Sequence, residues 1–314
     1  MKKKVLFSAQ VILSLLFIFS LTTLIFQLAG WHNPLGKFNY VEEPFSRAEA
    51  YNPSLSRLNS VKKLEQYCDS IYAQAIFSDK PVPFEQTYID VVSDAVKDRF
   101  YHGYSYYGFN DNYVAAVVAR VTMPGLAAPV IPDEILKYAN ASCSQQSIVM
   151  MEVLRDKSFS TRKISFKSEK FGGHFAFEVF YKGAWHFNDP DMEPDTAVLN
   201  NLGRPGIDFL AKNPAILIKA YAKYPPDVTM DLFPKFVYGP VNKFPAKKAY
   251  LFQQITQFLT YSIWLFFLIA LIFVRRRYLR VKDAATGSTT TPIRWIAPAT
   301  TPLYYPDYEV RRTQ

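Results

Sequence analysis

Two long, uncharged apolar runs frame the sequence. Residues 5–28 are mostly Leu, Phe, Ile and Val, and residues 251–274 form a second run that stops at Arg275-Arg276-Arg277. Each run exceeds the roughly 20 residues that a helix needs to cross a bilayer. The pattern therefore predicts a membrane-spanning helix at 5–28, a globular domain at 31–250 and a second span at 251–274.

The first run has an alternative interpretation, because three lysines followed by an apolar stretch also describe a secretory signal peptide. Gln27-Leu28-Ala29 puts glutamine where a cleavage site needs a small residue, which favours an uncleaved anchor. At the other end, residues 275–314 become rich in Thr, Pro and Ala. This composition predicts a basic, mostly disordered tail.

The distribution of charge indicates how the chain is oriented. The formal net charge is +9, yet residues 2–4 and 275–314 together hold eleven basic residues against three acidic ones. Residues 29–250 are left near neutrality. Basic residues next to apolar runs follow the positive-inside rule, so both termini are expected in the cytoplasm and the domain outside it, in the periplasm of a Gram-negative cell. The same distribution argues against nucleic-acid binding.

A cysteine lies at a predicted helix start in the middle of the chain. Ser142 is a good N-cap, and Ile148, Met151 and Leu154 then recur at helical spacing. Cys143 is thus expected in the first turn, where free backbone N–H groups and the helix dipole favour a thiolate. The same N–H groups could hold an oxyanion during acyl transfer.

A predicted β-hairpin follows the cysteine. Residues 175–181 and 184–189 alternate as strands, and Lys182-Gly183 between them reads as a two-residue turn. In that register Glu178 faces Phe187, so His174 and Asp189 lie on one face as diagonal neighbours. Their backbones would be about 7–8 Å apart, within reach of an imidazole–carboxylate contact.

These residues resemble the transglutaminase-like superfamily. The matching features are a histidine opening a strand, Glu178-Val179, the Gly183 turn, Trp185 and Asp189-Pro190, with a helix-start cysteine some 30 residues upstream. The resemblance covers about residues 140–193. It implies an α+β, papain-like domain in which the helix that begins at the cysteine packs on an antiparallel sheet.

The resemblance also implies roles. Cys143 would be the nucleophile, His174 the base and Asp189 the residue that orients the base, with no cofactor and no metal. Such domains act as protein cross-linkers, peptidases or amidases. One departure is that many members use a tryptophan upstream of the cysteine as an oxyanion donor, whereas none lies between Trp31 and Cys143. The candidate substitutes are Gln145, Gln146, Tyr104, Tyr106 and Tyr107.

Several alternatives to these roles stay open. A one-residue slip of the hairpin would exchange the faces of His174 and His186. Asp191 or Glu193 could orient the base, although both read as surface carboxylates, and His102 reads as a packed histidine. A zinc set can be drawn from Cys143, His174, His186 and Asp189, but no paired-ligand spacing supports it.

The second cysteine bears on whether the first can react. Cys68 falls in a helical pattern, which predicts a buried thiol, and the alternative is a Cys68–Cys143 disulfide. The sequence as a whole predicts a membrane-anchored cysteine enzyme acting on an amide or ester of a peptide, protein or envelope polymer. The alternative is an inactive scaffold of the same fold that binds an envelope partner.

Overall fold

The computed structural model describes residues 2–29, 51–77 and 83–286. The start of the predicted domain near Trp31 and residues 287–314 of the predicted tail lie outside this range. The described chain divides into two compact units. One runs from Phe19 to Trp264, and the other takes in α1 (Lys2–Leu28) up to Ile18 and α11 (Lys247–Thr286) from Leu265 onward.

Both α1 and α11 are long and apolar enough to cross a membrane, and little of either is covered by protein. α1 begins three residues before the predicted span at 5–28 and ends with it, whereas α11 extends the predicted span at 251–274 in both directions. In particular, α11 continues past Val274 to Thr286, so the first residues of the predicted tail are helical. This continuation includes the basic cluster at Arg275–Arg277.

The globular unit combines helices with two small sheets. In chain order its elements are a 3₁₀ turn (Pro53–Arg57), α2 (Val61–Phe77), α3 (Phe84–Arg99), β1 (Tyr101–His102), α4 (Tyr113–Val121), a 3₁₀ turn (Pro124–Ala127), α5 (Pro132–Ile135), β2 (Asn140–Ala141), α6 (Cys143–Asp156), β3 (Ser160–Ser168), β4 (Gly172–Tyr181), β5 (Ala184–Asn188), α7 (Thr196–Asn200), α8 (Ile207–Lys212), α9 (Pro214–Ala220), α10 (Pro226–Leu232) and β6 (Phe236–Tyr238).

The main sheet is antiparallel in the order β5-β4-β3-β6, and β1 and β2 form a separate parallel pair. The predicted mixture of helices with an antiparallel sheet is therefore confirmed. Two strands of the main sheet, β3 and β6, were not predicted from the sequence. The register of β4 on β5 pairs Glu178 with Phe187, as predicted.

The hairpin turn fixes that register. Lys182 and Gly183 both have positive φ, 47° and 79°, which is the backbone of a type I′ turn. Residues of β4 then alternate between two cores. Phe177 and Val179 pack with α2, α3 and α6 on one side, while Ala176 packs with Phe187 and α8–α10 on the other. The sheet thus lies between α6, which begins at Cys143, and the helices α8–α10.

Glu178, in the middle of β4, is a structural charge. Its side chain is fully buried and pairs with Arg162, whose Nη2 lies 2.6 Å from Oε2. Its other oxygen accepts the backbone N–H of Ile207 at 2.8 Å. The Arg162 guanidinium stacks between the rings of Trp185 and Tyr238, at 4.3 and 3.8 Å. A buried carboxylate satisfied in this way ties the loop before α8 to the sheet.

Candidate active site

The cysteine helix is capped as the sequence predicts. Ser142 is the N-cap of α6, and its backbone N–H donates to Gln145 Oε1 at 3.1 Å. Cys143 is therefore the first residue of the helix, where the amides of the opening turn have no partner within the helix. Cys143 is partly exposed.

His174 lies near the start of β4, next to the N-terminal end of α6, which begins at Cys143. The sulfur of Cys143, a His174 ring nitrogen and an Asp191 carboxylate oxygen are all within 4.8 Å of one another. His174 Nε2 is 2.8 Å from Asp189 Oδ2, and both side chains are almost completely buried. Since Asp189 occupies Nε2, Nδ1 is the nitrogen left for the thiol proton. A Cys-His-Asp arrangement like a catalytic triad is therefore present.

Asp189 is held firmly from several directions. It follows the last residue of β5, and its Oδ1 accepts the backbone N–H groups of Asp191 and Met192 at 3.3 and 3.1 Å. The Tyr221 hydroxyl donates to Oδ2 at 2.9 Å. Burial would raise the pKa of this carboxyl, but the charge of His174 and these hydrogen bonds outweigh it and lower the pKa.

The electrostatics of His174 favour its charged form. Burial opposes the imidazolium, but the Asp189 carboxylate and the neighbouring Cys143 sulfur outweigh it, so the pKa of His174 lies well above its usual value. Phe166 stacks on the ring at 5.7 Å and Phe233 meets it edge-on at 5.9 Å between centroids. The orientation of the imidazole is thus fixed on both sides.

A second imidazole–carboxylate pair adjoins the sulfur. Asp191 was expected at the surface, but its side chain is only 2% exposed, and its Oδ1 lies 2.6 Å from His102 Nδ1. Gln146 Nε2 also donates to it at 3.2 Å. The parallel pairing of β1 with β2 brings His102 opposite Ala141, just before Cys143. Nothing local in the sequence signals this contact.

The other predicted candidates are placed elsewhere. The ring nitrogens of His186 lie 2.7 and 3.1 Å from the carbonyls of Arg204 and Tyr181, on the opposite face of the hairpin. Glu193 contacts Lys223. Cys68 is buried in the core and unpaired with Cys143, so the disulfide alternative is wrong, and burial raises the pKa of the Cys68 thiol to about 12.

The candidate oxyanion donors differ in their surroundings and in their proximity to Cys143. Gln145 is occupied in the cap, with Nε2 donating to Ser105 Oγ at 2.9 Å and Pro129 O at 3.0 Å. The Tyr107 hydroxyl bonds to Gln253, away from the sulfur. Tyr104 lies beside Ser142 and Ser144 and close to Cys143. The first-turn amides of α6 and the Tyr104 hydroxyl are therefore candidate oxyanion donors.

The same cluster has the chemistry of a metal site. Thiolate, imidazole and carboxylate together suit a soft divalent ion such as zinc, with Asp189 holding the far side of the His174 ring as an outer partner. The zinc set considered from the sequence would have used His186 and Asp189 instead of Asp191.

We expect the charge on Asp191 to matter for the thiol. His102→Ala would leave this buried carboxylate without its closest partner beside the sulfur, and we expect alkylation of Cys143 by iodoacetamide at pH 7 to slow about tenfold. Asp191→Asn removes the negative charge itself and should not slow the reaction. Equal slowing in both variants would contradict this electrostatic explanation.

Comparisons of the chain with protein-family models, with curated proteins and with solved structures find no match. The description that fold and site support is therefore a chemical one. It is a mixed α and β protein with two candidate membrane-spanning helices and a triad-like cluster of cysteine, histidine and aspartate.

Proposed function

We propose that this protein is a membrane-anchored, transglutaminase-like cysteine enzyme that transfers an acyl group through a thioester. The observation that carries the proposal is the placement of His174 between the Cys143 sulfur and the buried Asp189 carboxylate. The resemblance of residues 140–193 to the superfamily adds to it. The helix-start cysteine against an antiparallel sheet is compatible with a papain-like fold.

The proposed reaction has two halves. The Cys143 thiolate attacks the carbonyl carbon of an amide or ester, and the amide or ester bond breaks as His174 protonates the leaving amine or alcohol. Water or a second amine then attacks the thioester while His174 takes its proton, and the C–S bond breaks to release the acid or the new amide together with the Cys143 thiolate. Asp189 holds the ring in one orientation throughout, and first-turn N–H groups stabilise the oxyanion.

We further propose that the domain works outside the cytoplasm. The support is the excess of basic residues at the end of each candidate span that lies away from the globular domain in the sequence, before residue 5 and after residue 274. An active site tethered there would meet peptides, proteins or envelope polymers.

A burst assay tests the reaction. Purified protein in nanodiscs, with EDTA to keep zinc from the cluster, should release about one p-nitrophenol per chain from p-nitrophenyl acetate, leaving an acetyl group on Cys143. The matched control is Cys68→Ala, which should keep the burst because that thiol is buried. Cys143→Ser should abolish it.

Two outcomes would contradict the proposal. A burst that survives in Cys143→Ser would show acylation elsewhere. A folded wild-type protein that gives no burst and no Cys143 adduct would favour the scaffold of an envelope partner.

A further inference from the structure

A stripe of buried polar side chains lies near the start of α11, within its long apolar run. Gln253, Thr256 and Thr260 are spaced three and four residues apart, so they share one face, and they are 0, 4 and 1% exposed. Polar groups within a span must find partners in protein, because hydrocarbon offers none. The partners of this stripe identify what packs on it.

Gln253 is bonded at both ends of its amide. Nε2 donates to the carbonyl of Ala128 at 2.7 Å, and Oε1 accepts the backbone N–H of Val130 at 2.8 Å. The Tyr107 hydroxyl also donates to Oε1, at 3.3 Å. One side chain of the helix therefore binds both ends of the segment 107–130.

The middle of that segment binds further along α11. Asn112, the N-cap of α4, donates from Nδ2 to Thr256 Oγ1 at 2.9 Å and accepts from Thr260 Oγ1 at 3.1 Å. The backbone N–H of Val114 donates to Thr260 Oγ1 at 3.3 Å. The chain thus descends along the helix from the level of Gln253 to that of Thr260 and returns, a path of about 10 Å at roughly 1.5 Å per residue.

The same segment packs on α1. Gln27 hydrogen-bonds the carbonyl of Asp111, and the Phe19 ring meets Phe109 and Tyr113 edge-on at 6.4 and 5.6 Å between centroids. Phe19 lies nine residues inside one apolar run and Thr260 nine residues inside the other. Nine residues of helix span about 13 Å, while half of the hydrocarbon core is about 15 Å thick.

Most of the large exposed side chains of the segment are apolar. Ala115 and Ala119 of α4 are buried, whereas Val117, Val121 and Met123 are 48, 79 and 62% exposed. Phe109 is 52% exposed. Large exposed apolar side chains on a segment that packs on two candidate membrane helices match lipid better than water.

We propose that residues 107–128 form a lipid-contacting element, inserted among the acyl chains of the half-bilayer next to the globular domain. The Tyr107 hydroxyl, the Asn112 side chain and the Val114 N–H are bonded to α11 on the inside, and apolar side chains of the element meet acyl chains on the outside. Exposed Arg120 fits this setting, because a long cationic side chain can extend to lipid phosphates.

The element is joined directly to the cysteine site. Asn140 donates to the carbonyl of Tyr104 at 2.7 Å, and the backbone N–H of Ser105 donates to Gln145 at 3.2 Å. The chain therefore runs from the start of α6 to the lipid-contacting element within a few residues, which keeps Cys143 near the membrane surface. This inference does not depend on the proposed reaction.

Spin-label accessibility tests the lipid contact. A nitroxide attached at Val121→Cys, in a Cys68→Ala, Cys143→Ser background in phosphatidylcholine–phosphatidylglycerol nanodiscs, should relax at least about threefold more with oxygen than with the water-soluble nickel complex. The matched control is Val237→Cys on β6, the edge strand of the main sheet, where an apolar side chain is 70% exposed. There the nickel complex should be the stronger relaxant.

Two results would overturn the proposal. A label at 121 that behaves like the label at 237 would place α4 in water. Protection from both reagents would show that a protein surface, not lipid, covers the element.

A measurement without any substitution guards against a disturbed fold. Wild-type protein in nanodiscs that contain an acyl-chain diazirine phospholipid should yield cross-linked peptides from residues 109–126 as well as from α1 and α11. Cross-links confined to α1 and α11 would contradict the lipid contact.

Discussion

In His174→Ala, Cys143 should react with iodoacetamide at pH 6 about 100-fold more slowly than in the wild type. The reason is that His174 keeps a positive charge within 4.8 Å of the sulfur, because its pKa lies well above the usual value. Two unit charges at such a distance interact by about 3 kcal/mol at an effective dielectric constant of about 20. The measurement is the pseudo-first-order alkylation rate in a Cys68→Ala background.

The excess alkylation rate of the wild type over His174→Ala should depend on pH. It is present below the pKa of His174 in the folded protein and fades as the pH rises through it, because the imidazole then loses its charge. The matched control is His186→Ala, which removes a histidine from the same hairpin but from the opposite face. If His186→Ala slowed Cys143 as much as His174→Ala does, loss of hairpin structure would explain both.

Asp189→Asn should destabilise the protein by about 3 kcal/mol at pH 6, since it breaks the buried ion pair between His174 and Asp189. The Asp189 carboxylate also accepts a hydrogen bond from the Tyr221 hydroxyl. The measurement is the free energy of unfolding by urea in detergent. A matched control is Asp208→Asn, because Asp208 accepts the Tyr238 hydroxyl at an exposed position. That change should cost less than about 0.5 kcal/mol.

The same pair makes wild-type stability depend on pH in both directions. The pKa of His174 is raised on folding, so its contribution is complete below about pH 6.5 and is lost as the pH rises through the folded value. The pKa of Asp189 is lowered, so its contribution is complete above about pH 3.9 and is lost as the pH falls through the folded value.

The difference between wild type and Asp189→Asn should therefore shrink between pH 6 and pH 9. A difference that stays constant over this range would mean that the pair is not charged in the native state.

Local signals were enough to predict the parts of the site that depend on neighbouring residues. The turn at Lys182-Gly183 sets the β4–β5 register, and this register places Asp189 on the same face as His174, within hydrogen-bonding distance. The cap at Ser142 likewise sets Cys143 at a helix start. In both cases a few adjacent residues determine the geometry.

Features that depend on distant pairing could not be predicted in this way. β3 carries Arg162, Lys163 and Lys167 among its apolar residues, which obscures the alternation that marks a strand. The contact of His102 with Asp191 joins residues 89 positions apart. It requires β1 to pair with β2, and two-residue strands leave no pattern in the sequence.

The lipid-contacting element was missed for a different reason. Its helix α4 spans only Tyr113–Val121, far too short to cross a bilayer, so length-based criteria pass over it. Its position along the candidate spans is indicated only by its hydrogen bonds to Thr256 and Thr260, which lie on a helix more than a hundred residues later.

Those bonds have a consequence for how the chain is assembled. Residues 107–128 leave the ribosome well before Gln253, Thr256 and Thr260, so the surface on which the start of α11 docks is made first. An isolated α11 would enter the bilayer with three polar side chains that lack these hydrogen bonds. If the domain has already folded, those side chains can form their hydrogen bonds to residues 107–128 as α11 inserts. We therefore expect the insertion of α11 to depend on the folding of the domain that precedes it.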